Sequence, residues 1–222
     1  MLIIEGKVKS IGIYAALTIC RNVIVKQDNY VKSLLENLVK EVMRSHGIEQ
    51  LKDHPLVRAY RDTMWRLGID PTKIRPSSEA LLRRILRKSY LPSINNIVDA
   101  CNIASARNIV VISVIDLDKV SPPLILRFAK NGEEFIDLSG KVRILKDYEI
   151  VLSDSKGIII HLYPYRDSAR SAISSSTRNV IAVAYGAEGI PKHRLLDALK
   201  EFADIVLRSV PNAKCEKPVL IL

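Results

Sequence analysis

Apolar side chains recur along the first half of the chain with the period of a helix. Between Asn29 and Ser45 they fall at Val31, Leu34, Leu35, Leu38, Val39 and Val42, the i, i+3, i+4 rhythm of an amphipathic helix, and Gly47 follows as a stop. A second helix is predicted over Leu56–Leu67, halted by Gly68, with Trp65 expected on its buried side. A third starts at Ser77 or Ser78, where a hydroxyl can cap free N–H groups and Glu79 suits the positive end of the dipole. Between these two, Gly68–Thr72 reads as a turn, because Pro71 fixes φ and Asp70 can accept hydrogen bonds from backbone beyond it. A fourth helix is expected over Asn95–Arg107.

From Ile109 the period shortens. Runs rich in β-branched residues at 109–115, 124–128, 133–136, 149–152, 158–162 and 180–184 are separated by turn residues and predict strands, as does the earlier stretch Ile11–Cys20. A last helix over Lys192–Arg208 carries Leu195, Leu196, Leu199, Phe202, Ala203 and Val206 on one face, and a strand follows at Val219–Leu222. The pattern predicts an α/β protein of the α+β type, with helices packed on a mixed, mostly antiparallel sheet, and one domain over 1–222.

Composition narrows the class. Hydrophobic residues at 48% and charged residues at 26% are the balance of a folded protein. No apolar run reaches the roughly 18–20 residues that span a bilayer, so a cytoplasmic protein without a membrane partner is expected. Cys20, Cys101 and Cys215 are odd in number and widely spaced, which suggests neither a disulfide framework nor a metal knuckle. His46, His54, His161 and His193 lack ligand spacing, so neither metal nor cofactor is expected.

Charge changes the picture more. Lys and Arg total 34 against 24 acidic residues, a net charge of +10 that attracts polyanions. The excess is concentrated: nine basic residues lie between Leu56 and Tyr90 against three acidic ones. Arg75, Arg83, Arg84, Arg87 and Lys88 are the candidate RNA-contacting set.

The segment Arg61–Leu86 resembles the opening signature of freestanding proteins of the B3/B4 family, the tRNA-editing domain of the phenylalanyl-tRNA synthetase beta subunit. Further motifs follow in order: Asn95-Asn96-Ile97-Val98-Asp99, Ile115-Asp116-Leu117-Asp118-Lys119-Val120, Gly132-Glu133-Glu134-Phe135, Asp154 before a strand, and Tyr165-Arg166-Asp167-Ser168 up to Ser176-Thr177-Arg178-Asn179-Val180. The resemblance is strongest over 56–184. It implies an RNA-facing α/β domain that meets the acceptor end of a mischarged tRNA and hydrolyses the wrong aminoacyl ester, with no DNA partner. A binding module for tRNA or an amino acid, without chemistry, is the alternative. Where synthetase beta subunits carry a Gly-Gly-Glu type loop, this chain has Arg166-Asp167-Ser168-Ala169-Arg170, so amino-acid specificity does not carry over.

A substrate pocket is accordingly expected between the Asp116–Asp118 turn and the Arg166–Thr177 loop, using Asp116, Asp118, Arg166, Asp167, Ser168 and Thr177, with Asn95 as a further candidate and no assigned catalytic residue. Structural roles compete for several of these. Asp116 and Asp118 can fix a turn by Asx hydrogen bonds, and Asn95 can cap a helix.

Overall fold

The computed structural model describes residues 2–222. In chain order the elements are β1 (Leu2–Ile4), α1 (Gly6–Lys9), β2 (Tyr14–Arg21), α2 (Asn29–Ser45), α3 (Pro55–Arg66), α4 (Ser77–Lys88), α5 (Asn96–Asn108), β3 (Val111–Asp116), β4 (Leu124–Phe128), β5 (Glu134–Ile136), β6 (Val142–Ile144), β7 (Ile150–Ser153), β8 (Ile159–Leu162), β9 (Arg166–Asp167), β10 (Asn179–Gly186), α6 (Lys192–Ser209), β11 (Lys214–Cys215) and β12 (Val219–Ile221).

The α/β architecture is as the periodicity implies, but the strands do not share one sheet. They divide between a five-stranded sheet in the order β1-β4-β7-β8-β9, a second in the order β11-β2-β10-β3 with β12 also on β2, and the separate β5–β6 hairpin. All pairings are antiparallel except β1 with β4. The long central strands β2 and β10 are buried on both faces, which is why Ala15–Cys20 and Val180–Tyr185 read as continuous apolar runs rather than alternating ones.

Helices α5 and α6 pack on each other and on this second sheet, α5 beside β3 and α6 beside β2 and β10. The main core runs from Leu2 to Ala213 and takes Leu124, Leu126, Ile150 and Leu152 from the first sheet. Val151, between the last two, points the other way. With Ile159 and Leu162 it forms a small separate cluster closed by Phe135 and Leu145 from the β5–β6 arm. That arm is shaped by Asp137, whose Oδ1 accepts hydrogen bonds from the Ser139 and Lys141 N–H groups and the Ser139 hydroxyl, while Gly140 turns the chain at φ +81°.

Several sequence expectations change here. Cys20 and Cys215 form a disulfide, because the β2–β11 register sets them opposite each other although 195 positions apart. Cys101 is free and buried. Trp65 is 54% exposed on α3, since the buried side of that helix is taken by Val57, Tyr60, Thr63 and Met64. The N-cap of α4 is Pro76, and neither Ser77 nor Ser78 caps with its hydroxyl: both hydroxyls are buried without a hydrogen-bond partner.

Candidate nucleic-acid interface

The site grows from the spacing of α4. Ser78, Glu79, Leu82 and Ile85 face inward, so Arg83, Arg84, Arg87 and Lys88 fall together along the opposite side. Opposite them stand the β5–β6 arm and the start of β9. The space between is a cleft of about 730 Å³ lined by nine basic side chains, namely Lys73, Arg75, Arg83, Arg84, Arg87, Lys88, Lys141, Arg143 and Arg166, with Asp137 as the one acidic lining residue. Tyr165, Ile74 and Val142 supply apolar surface between the charges, over the buried Phe135.

Eight of these cations fall into two groups; the ninth, Lys73, is exposed and lies 3.8 Å from Asp70. Those at the inner wall are held in place. Glu79 is fully buried and receives Arg61 bidentately at 2.8 and 2.7 Å and Arg83 at 2.6 Å, with Arg75 at 4.0 Å. Arg143 donates to Glu149 at 2.6 Å and also to the Tyr165 hydroxyl; Arg166 donates to Asp137 at 3.1 Å. Burial raises the Tyr165 phenol, and Arg143 partly offsets this. The second group, Arg84, Arg87, Lys88 and Lys141, is exposed and without a carboxylate partner within 4.0 Å among the described residues. Unmatched cations gathered across one cleft suit a polyanion such as a phosphodiester backbone.

All five expected RNA-contacting residues, and Arg166 from the substrate set, thus line one cavity. Lys141 and Arg143 were missed by sequence reasoning. Their signal was two basic residues two positions apart beside Gly140, which places them on one face of a short strand.

The remaining expected substrate residues lie in two other clusters. In the first, the Thr177 hydroxyl donates to Asp116 Oδ2 at 2.6 Å, Lys119 Nζ lies 3.4 Å from the same oxygen, and the Asp118 N–H donates to Asp116 Oδ1 at 3.1 Å. Asp118 accepts from the Asn179 amide at 2.9 Å. In the second cluster Asp167 bonds His161 Nδ1 at 2.8 Å, and the His161 ring stacks on Tyr185 at 4.6 Å, whose hydroxyl meets Ser113 at 2.9 Å. His161 is 1% exposed and its Nε2 has no partner. Ser113 and Asp116 differ by three positions on β3, so they belong to opposite faces of that strand, and the two carboxylates stand in separate networks. The pocket expected to hold both carboxylates is thus divided between two hydrogen-bonded clusters, the second leaving the buried His161 Nε2 without a partner. The Ser168 hydroxyl donates to Ile136 O at 3.0 Å and accepts from the Arg170 N–H, tying β9 to the hairpin arm. Asn95 is the N-cap of α5, accepting from the Ile97 and Val98 N–H groups at 3.1 and 2.9 Å, so helix capping occupies the oxygen that was a substrate candidate. Among the described residues no group of His, Cys, Asp and Glu could hold a metal ion.

Fold and cleft define the class: an α+β module with an electropositive trough between a helix and a hairpin. The family model of the B3/4 domain matches residues 59–210, and the chain belongs to that family. It is 31% identical over 116 residues to the phenylalanine–tRNA ligase beta subunit of Neisseria gonorrhoeae, covering 52% of this chain and 15% of that one. It is 36% identical over 101 residues to the same subunit of Protochlamydia amoebophila, covering 45% and 12%. The chain therefore spans only a small part of the length of these relatives. Among solved structures, an N-terminal fragment of the phenylalanyl-tRNA synthetase beta subunit from Pyrococcus horikoshii matches 97% of this chain and 50% of its own, with a TM-score of 0.55 and 14% identity, a likeness of fold. Among the described residues no helix is long and apolar enough to cross a membrane.

Proposed function

We propose that this protein grips tRNA through the cleft between α4 and the β5–β6 arm and hydrolyses the ester of a mischarged aminoacyl-tRNA. The observation that carries the reading is the convergence of Arg84, Arg87 and Lys88 with Lys141, from segments more than fifty positions apart, on one trough where none of the four has a carboxylate within 4.0 Å among the described residues. Such cations bind by releasing counterions from phosphates, and the partly exposed Tyr165 ring offers apolar contact between charges. Membership of the B3/4 family and likeness to phenylalanine–tRNA ligase beta subunits support tRNA as the RNA and its aminoacyl end as the reacting group. Positioning would carry much of the catalysis, since an ester held beside an oriented water needs little else.

A second reading, binding without hydrolysis, is favoured by the state of Asp137, the acidic residue lining the trough, whose oxygens are taken by Ser139, Lys141 and Arg166, while Asp116 and Asp118 lie outside it, paired with Thr177 and Asn179. One assay separates the two. The purified protein is incubated with a panel of mischarged tRNAs and ester loss is followed. Hydrolysis of at least one substrate well above the spontaneous rate supports the first reading. Saturable tRNA binding with every ester decaying at the spontaneous rate supports the second.

A further inference from the structure

A second concavity adjoins the basic cleft where α4 ends. Arg87 and Lys88 line the cleft, and the next residues, Ser89, Tyr90 and Leu91, line a groove of about 580 Å³ against α2, a volume in the roughly 300–1,000 Å³ range of ligand sites. Its floor is apolar, formed by Leu35, Val39 and Met43 with Leu91. Tyr90 is 59% exposed at its mouth, more than any other aromatic residue on the surface. Lys32, Lys40 and Arg44 stand on the α2 side, where Glu36 is the one acidic neighbour.

We infer that this groove receives unpaired nucleotides of the RNA held in the adjoining cleft, with a base stacked on Tyr90; the inference rests on the RNA-binding reading above. The division of the groove matches the chemistry of a single strand. Bases are flat, apolar faces that are hidden in a duplex but free in unpaired segments, and they stack on exposed aromatics. Phosphates alternate with them and need cations at the rim, which Lys32, Lys40 and Arg44 provide. Ser89 ends α4 in the left-handed conformation at φ 50°, so the helix presents the negative end of its dipole near Tyr90. That end disfavours a phosphate there and leaves the spot to a neutral base. The continuity of Lys88 with Ser89 means a strand leaving the cleft meets Tyr90 next.

The test compares a short fluorescent oligo(A) with a blunt-ended RNA hairpin, using wild type, Tyr90→Ala and Tyr90→Phe at low salt. Tyr90 is exposed, so neither variant disturbs the core. The expected result is that Tyr90→Ala weakens oligo(A) binding by about tenfold, that Tyr90→Phe retains it, and that hairpin affinity is unchanged in both. If Tyr90→Ala leaves oligo(A) binding intact while Arg84→Ala with Arg87→Ala weakens it, the stacking site is overturned and the RNA-binding cleft stands. If an acidic amphipathic peptide binds in a Tyr90-dependent way and oligo(A) does not, the groove belongs to a protein partner and the inference fails. If wild type binds neither RNA, the RNA reading and this inference fall together.

Discussion

The basic trough and the two carboxylate clusters at the ends of β3 and β8 hold polar groups in opposite conditions. At the end of β3 the buried Asp116 meets Thr177 and Lys119, with Asp118 meeting Asn179 at the surface beside it, and in the other sheet Asp167 of β9 meets the buried His161 of β8. In the trough, Arg84, Arg87, Lys88 and Lys141 have no carboxylate within reach among the described residues. Buried polar groups must be satisfied internally or they cost stability, whereas surface charge left unmatched is available to a ligand. On the proposed function the clusters do structural work and the trough recognition, and mutation can separate them.

The largest effect should come from the carboxylate that anchors the trough. Glu79→Ala leaves the largely enclosed guanidinium groups of Arg61 and Arg83 without their buried partner, a change of the kind that costs about 3–5 kcal/mol. Chemical denaturation should show this loss; a change under about 1 kcal/mol would mean that the inner wall is not organised by Glu79.

Substituting Arg84, Arg87 and Lys88 together by Ala should do the reverse, leaving stability within about 0.5 kcal/mol because these side chains are exposed and unpaired. Their loss should lower tRNA affinity at least about tenfold and reduce the log–log salt slope by about 2 to 3, near one per phosphate contact removed. Fluorescence anisotropy at several salt concentrations reads both numbers.

Thr177→Val removes the donor to Asp116 and should cost about 1.5–3 kcal/mol, the range for a hydrogen bond to a charged group. Affinity for tRNA should not move. A parallel loss of affinity would merge the two regions and undo the distinction between them.

The smallest effect is acid sensitivity of the hairpin wall. Burial alone would raise the Glu133 carboxyl, but Arg127 and the Lys130 N–H hold it below its ordinary value. Hydrogen bonds from Ser139 and the Lys141 N–H, together with Arg166, hold Asp137 low as well. Carboxyls lowered in the folded state contribute stability above their unfolded pKa of about 4, and that contribution disappears as pH falls through the lowered values. Asp99 at the start of α5 behaves oppositely. Burial raises it against hydrogen bonds from Ser93 and the Ile94 N–H, so its contribution is present below the unfolded pKa and is lost as pH rises through the raised value. Hydrogen exchange of the β5–β6 amides should accelerate on acidification below about pH 4 before that of α5; the reverse order would contradict the assignment.

Much of this arrangement was legible in the residues. The apolar spacing of Asn29–Ser45 and the basic stripe Arg83, Arg84, Arg87 and Lys88 follow from a period of 3.6, which depends only on near neighbours. What escaped depends on partners distant in the chain. The Cys20–Cys215 bond requires the β2–β11 register, and the exposure of Trp65 requires knowing which face of α3 is already occupied. Asp116 and Asp167 look alike as loop-proximal carboxylates, and only the parity of β3 and the stacking of His161 on Tyr185 separate them. The β5–β6 arm was half seen, because Val142–Ile144 has three residues and an aliphatic side that is largely exposed, too short a run for alternation to register.

The salt dependence of tRNA binding by the unmodified protein tests the central claim most directly. With four exposed, unpaired cations in the trough, log affinity should fall linearly with log salt at a slope of about −2.8 to −3.6, taking roughly 0.7–0.9 per neutralised phosphate. A slope near zero, or no detectable binding at low salt, would contradict the reading of the trough as an RNA interface.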